Sequence, residues 1–156
     1  DVHIQQEDYA EAFAAFQEAF RLLPENSTAA ELYAVGALYA DDAAAFVEAR
    51  EALSRSEFLT SDRIARTYLT LERYDELVAY YRERRAFQTE RLEAGKGSAE
   101  AVVETSRNLM TALLQRGDRE EAIRVIEEAI EVHPPFEEEG ETLLEQIRTG
   151  NFDVAI

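Results

Sequence analysis

The side chains that most often carry out acid–base or nucleophilic catalysis are scarce in this sequence. It has no cysteine and only two histidines, His3 and His133. His133 stands next to Pro134, and neither histidine has a serine or cysteine nucleophile pattern beside it. Nucleophilic catalysis needs a base within hydrogen-bonding reach of the nucleophile. We therefore expect no enzymatic activity.

Two sets of residues could bind a metal ion or a phosphate, and neither has the required spacing. Glu127, Glu131 and His133 lack the paired histidines of a helical zinc site. Residues 95–98, GKGS, lack the upstream glycine and the strand of a phosphate-binding loop. The acidic residues do not show the spacing of a calcium-binding helical loop. We expect no metal ion and no cofactor.

Arginine is the residue type that could bind anions here. The sequence holds 15 arginines and one lysine, Lys96. Four of the arginines crowd one predicted helix: Arg82, Arg84, Arg85 and Arg91. Glutamates such as Glu83 and Glu90 alternate with them, so we expect ion pairs between residues four apart on that helix. The alternative is a docking face for an anionic partner.

Composition restricts the class of protein further. The 33 acidic residues outnumber the basic ones and give a formal net charge of −17. Such a charge disfavours a nucleic-acid partner, because affinity for phosphates comes from lysine and arginine. A hydrophobic fraction of 46% is too high for a disordered acidic tail. No apolar run approaches the roughly 20 residues that span a bilayer, so we expect no insertion into a membrane.

Hydrophobic spacing is helical along almost the whole chain. Tyr9, Phe13, Phe16 and Phe20 recur at steps of three and four residues, as on one face of a helix. Helices are predicted from Asp8 to just before Pro24 and over 28–39, 42–53, 62–72, 74–94, 99–115, 118–132 and 136–148. Asp8 with Glu11 and Thr28 with Glu31 are candidate capping boxes, and Ser98 is a candidate cap. The predicted class is all-α.

An internal repeat is the strongest pattern in the sequence. A pattern of five positions recurs 110 residues later, with three of the five residues identical: Tyr9, Ala12, Phe16, Ala19 and Pro24 correspond to Arg119, Ala122, Ile126, Ala129 and Pro134. The helices before such segments share a second pattern: Leu32, Val35, Gly36 and Tyr39; Ile64, Ala65 and Tyr68; Leu109, Met110 and Leu113. Small residues such as Gly36 and Ala122 would let the backbones of paired helices approach closely.

This arrangement resembles the tetratricopeptide repeat family, whose unit is a helix–turn–helix of about 34 residues. The resemblance covers roughly Asp8 to Pro134 and implies a right-handed α-solenoid of antiparallel helix pairs. We expect a single domain over residues 1–156. Its parts are a half repeat at 1–24, repeats at 29–54, 58–94 (with an extended second helix) and 98–134, and a closing helix at 136–149.

The resemblance also implies a concave surface that binds peptides. The family's groove positions fall on Tyr33 and Ala37, on Asp62, Arg63 and Arg66, and on Arg107, Asn108 and Thr111. Guanidinium groups form bidentate hydrogen bonds with carboxylates. We therefore expect a protein or peptide partner with a C-terminal carboxylate or an acidic segment, although Asp62 would repel an anion. The alternative is that these arginines only pair with nearby glutamates.

A role from a different class stays open. The chain starts at Asp1 without a methionine or a signal-like segment, so we expect a mature or trimmed chain. These features leave its compartment unknown; a cytoplasmic location is favoured, and the alternatives are the periplasm or the soluble tail of a membrane protein. Some bacterial envelope-polysaccharide and glycosyl-transfer membrane proteins end in similar arrays. The chain would then be a structural or regulatory tail used for packing or oligomerisation. Homodimerisation through an exposed end of the array is compatible with either role.

Overall fold

The protein is all-helical in the part that the structure describes. A computed structural model describes the backbone of residues 2–151 and the side chains of residues 8–9 and 11–151. The helices within that range are α1 (Val2–Leu22), α2 (Ser27–Tyr39), α3 (Ala43–Glu51), α4 (Arg55–Leu59), α5 (Asp62–Thr70), α6 (Tyr74–Glu93), α7 (Ala99–Gln115), α8 (Arg119–Val132) and α9 (Glu137–Thr149). A short 3-10 turn, Pro134–Phe136, precedes α9, and no strand occurs in this range. The predicted all-α class is confirmed.

The helices form two compact units that divide between Arg73 and Tyr74. In the first unit, α2 packs against α1, α3 and α5. In the second unit, α7 packs against both α6 and α8, while α9 packs against α8 and the 3-10 turn. The predicted repeat over 58–94 thus places α5 in the first unit and α6 in the second. The predicted repeat boundaries and the handedness of the solenoid stay predictions.

Two of the predicted helix starts are wrong. The helix α1 begins at Val2 rather than at Asp8, because residues 2–22 contain no glycine or proline that would end a helix earlier. The helix α2 begins at Ser27, and its cap is Asn26, whose Oδ1 accepts a hydrogen bond of 2.9 Å from the backbone N–H of Ala29. Thr28 consequently lies inside the first turn of α2 and does not cap it.

The position of this cap can be tested with a pair of alanine variants. Asn26→Ala removes the acceptor of the Ala29 N–H and is expected to lower the free energy of unfolding by about 1 kcal/mol. Thr28→Ala is the matched control, and we expect a change below about 0.5 kcal/mol, as for most exposed positions. Urea denaturation followed by circular dichroism measures both values. A larger loss for Thr28→Ala than for Asn26→Ala would restore the capping box predicted from the sequence.

Other helix starts follow the predicted chemistry. Asp42, Ser61 and Ser98 cap α3, α5 and α7, and each accepts a hydrogen bond from a backbone N–H three residues later. The helix α4 was not predicted. A capping box opens it, in which Ser54 and Glu57 each bind the other's backbone N–H.

Close approach of α1 and α2 fixes the core of the first unit. A Cβ added to Gly36 would lie 3.0 Å from ring carbons of both Phe13 and Phe16. These distances are too short for an ordinary contact, so the absence of a side chain at Gly36 allows the two helices to meet. The structure therefore confirms the predicted role of this small residue. In the second unit, Ala122 is fully buried in the same way.

Candidate functional site

The first unit contains an open groove of about 500 Å³, which we call the arginine groove. The helices α1 and α2 supply its aromatic and aliphatic wall: Tyr9, Phe16, Leu32, Val35 and Tyr39. The rings of Tyr9 and Tyr39 stack with their centroids 3.9 Å apart and their planes 2° from parallel. Burial raises the pKa of the Tyr39 hydroxyl, and the nearby Tyr9 adds to this effect, so the wall stays uncharged at neutral pH.

The opposite wall of the arginine groove comes from α5. Arg63, Arg66, Thr67 and Thr70 line it, because residues three and four apart lie on one face of a helix. The hydroxyls of Thr67 and Thr70 donate to the backbone carbonyls of Arg63 and Arg66, at 2.7 and 2.9 Å. The two guanidinium groups are therefore the charged hydrogen-bond donors on this wall.

The two arginines of the groove differ in how they are held. Arg63 Nε lies 3.7 Å from Glu31 Oε1, at the long end of ion-pair distances, and the Arg63 side chain is 56% exposed. Arg66 is exposed, and its guanidinium has no ion-pair partner among the described residues. Asp62, which the sequence suggested would repel an anion, does not line this groove. The groove thus offers one uncompensated cation beside a loosely paired one.

Tyr33 and Ala37 do not line the arginine groove, although the resemblance placed both at groove positions. They are 2% and 1% exposed, because α2 is covered by helices on several sides. The Tyr33 ring stacks on Phe20, with centroids 5.0 Å apart, and its hydroxyl donates to Glu48 Oε2 at 3.4 Å. Burial, and to a lesser degree the Glu48 carboxylate, raise the pKa of Tyr33. Tyr33 also lines a separate groove of about 480 Å³, together with Gln17 and Arg21.

The remaining predicted groove residues, Arg107, Asn108 and Thr111, belong to α7 of the second unit. Arg107 donates to Glu139 Oε2 at 2.7 Å, and its guanidinium lies 5.1 Å from the centre of the Phe136 ring. Thr111 donates to the Arg107 carbonyl, and Asn108 is exposed. Arg107 therefore follows the alternative considered from the sequence, in which the arginine pairs with a glutamate of the same chain.

Two arginines of the α6 cluster, Arg82 and Arg85, pair with another helix rather than within α6 as expected. Arg82 donates to both carboxylate oxygens of Glu121, and Arg85 donates to Glu128. Both glutamates lie on α8, 39 and 43 residues further along the chain. Sequence spacing could not reveal these partners, because they depend on the packing of α6 and α8 around α7.

Within the described residues, no three histidine, aspartate or glutamate side chains are grouped so that they could hold a metal ion. His133 ends α8, and the side chain of His3 lies outside the described residues. No described helix is both long enough and apolar enough to cross a membrane.

Paired helices with small residues at their contacts are consistent with the class of helical-repeat proteins. Residues 60–93, which cover α5 and α6, match the family model of the tetratricopeptide repeat. This match and the all-helical fold fit a tetratricopeptide-type repeat protein, as the sequence predicted. No curated protein matches the chain. Tetratricopeptide repeats generally serve as protein–protein interaction modules without enzymatic activity.

Proposed function

We propose that this chain is a non-enzymatic module that binds a carboxylate-bearing peptide segment of a partner protein in the arginine groove. The observation that carries this proposal is Arg66, which is exposed, lines the groove and has no ion-pair partner among the described residues. An uncompensated guanidinium at a concave, partly apolar surface is suited to a carboxylate. The absence of cysteine and the two isolated histidines support a non-enzymatic role.

The groove would recognise two features of a peptide at once. A carboxylate would accept hydrogen bonds from Arg66, and Arg63 could turn towards it by giving up its long contact with Glu31. An apolar side chain of the peptide would pack against Tyr39, Val35 and the other residues of the aromatic wall. The overall charge of −17 repels acidic molecules at long range, so selection would depend on these short-range contacts.

Replacing Arg66 is the direct test. We expect Arg66→Ala to weaken the binding of acidic peptides about tenfold, since a charge-assisted hydrogen bond contributes roughly 1.5–3 kcal/mol. Fluorescence polarisation with a library of labelled acidic peptides measures this effect. Arg124→Ala is the matched control, because Arg124 is also exposed, has no ion-pair partner among the described residues and lies on α8. It should leave the dissociation constants unchanged.

Two further comparisons sharpen the result. Arg66→Lys keeps the charge but removes the planar donor pair, so it should restore only part of the affinity. Peptides with a free C-terminus are compared with amidated copies, which separates recognition of the terminal carboxylate from recognition of an acidic side chain. If Arg66→Ala and Arg124→Ala had equal effects, the groove would not be the binding site. The role as a structural or regulatory tail stays a prediction.

A further inference from the structure

A second groove, of about 520 Å³, lies within the second unit, and we call it the acidic groove. It forms where three helices of unequal length meet: α6 has 20 residues, α7 has 17 and α8 has 14. The helix α8 ends at Val132, which lines the groove and remains 36% exposed. Ala86 of α6 is exposed and also lines the groove, as does the buried Val102 of α7. The groove thus has an accessible apolar surface.

The charges around this groove do not cancel. Its two lining arginines, Arg82 and Arg85, are each bound to a glutamate of α8. The hydrogen bond from Arg82 also holds the pKa of Glu121 below its usual value, so that this pair stays ionised. Glu93 and Glu131 line the groove, are exposed, and have no ion-pair partner among the described residues. The surface that remains available is apolar with a negative rim.

We propose that the acidic groove is an interaction surface for a partner segment in which apolar side chains are flanked by lysine or arginine. The apolar side chains would cover Ala86 and Val132, and the cationic groups would reach Glu93 and Glu131. This differs from the alternative considered from the sequence, in which the arginines of α6 formed a docking face for an anionic partner. Ion pairs with α8 already occupy Arg82 and Arg85.

A second copy of this chain is the less suitable occupant. Each copy carries a net charge of −17, so two copies repel each other at long range. Charge complementarity therefore favours a different, basic partner. The acidic groove lies in a different unit from the arginine groove. A test of one proposal therefore does not decide the other.

The probe for this surface is a labelled amphipathic peptide of leucine and lysine. The control peptide has glutamate in place of each lysine. We expect the lysine peptide to bind the intact chain at physiological ionic strength and the glutamate peptide not to bind. The double variant Glu93→Lys/Glu131→Lys should weaken binding by about tenfold or more in fluorescence anisotropy. The control Glu141→Lys/Glu145→Lys makes the same change in net charge at exposed positions of α9 and should weaken binding by less than about threefold.

A variant without any charge change tests the shape of the groove. Ala86→Tyr is expected to fill it, to retain the helical circular dichroism signal and to reduce binding of the lysine peptide by about tenfold. Equal losses in the two charge-reversed variants would overturn the proposal, because they would show a general attraction between a basic peptide and an acidic protein. Unchanged binding by Ala86→Tyr would overturn it as well. A dimer in light scattering that Ala86→Tyr dissociates would instead assign the groove to a second copy.

Discussion

Tyr33→Ala is expected to lower the free energy of unfolding by about 3–5 kcal/mol, the range for large buried aromatic residues. The side chain is 2% exposed and lies between α1 and α3. Its ring stacks on Phe20 and Phe13, with centroid distances of 5.0 and 5.8 Å. Truncation would remove these contacts and leave a cavity that the surrounding helices can fill only in part. Urea denaturation followed by circular dichroism measures the loss.

Tyr33→Phe is the control that separates the ring from the hydroxyl. The hydrogen bond to Glu48 is long, at 3.4 Å, so its loss should cost less than about 1 kcal/mol. The ring would stay in place. Similar losses for the alanine and phenylalanine variants would show that the hydroxyl, rather than the aromatic packing, stabilises this part of the first unit.

Gly36→Leu is expected to lower the free energy of unfolding by about 2–3 kcal/mol, although glycine is a poor helix former. Leucine would gain about 0.8 kcal/mol in helix propensity at an exposed position. At Gly36, however, even a Cβ would lie 3.0 Å from the rings of Phe13 and Phe16 and 3.4 Å from the backbone Cα of Phe13. The backbone of α1 cannot move away without disturbing the contacts of Tyr33.

The matched control for this variant is Ala44→Leu, which adds an apolar side chain at an exposed position of α3. It should change the free energy of unfolding by less than about 0.5 kcal/mol. Denaturation curves of the two variants are compared with that of the unmodified chain. A neutral or stabilising effect of Gly36→Leu would mean that α1 and α2 do not approach as closely as described.

The sequence predicted the features of the fold that depend on residues close together in the sequence or on recurrent sequence patterns. Ser98 was recognised as the cap of α7 because capping follows from local chemistry, and Gly36 as a point of close helix contact because small residues recur where helices pair. The helix α4 was missed because five residues are too few to show a hydrophobic period. The cap of α2 was misplaced by two residues, since both Asn26 and Thr28 are residues that favour caps.

The candidate site was less predictable, because its properties depend on contacts between distant residues. From the sequence, Arg66 and Arg107 were equivalent candidates for binding a carboxylate. In the structure, Glu139 of α9 pairs with Arg107, while no described acidic residue pairs with Arg66. Whether each guanidinium is paired thus depends on the position of α9, whose Glu139 reaches Arg107. The pairing of Arg82 and Arg85 with α8 has the same origin.

The bias towards arginine has a consequence for how binding could be regulated. The one lysine of these 156 residues, Lys96, lies exposed between α6 and α7, outside the residues that line either groove. Acetylation neutralises lysine but not arginine. The cations of the arginine groove would therefore stay charged after lysine acetylation. Under the proposed function, a switch based on lysine acetylation would have to act on the ligand rather than on its receptor.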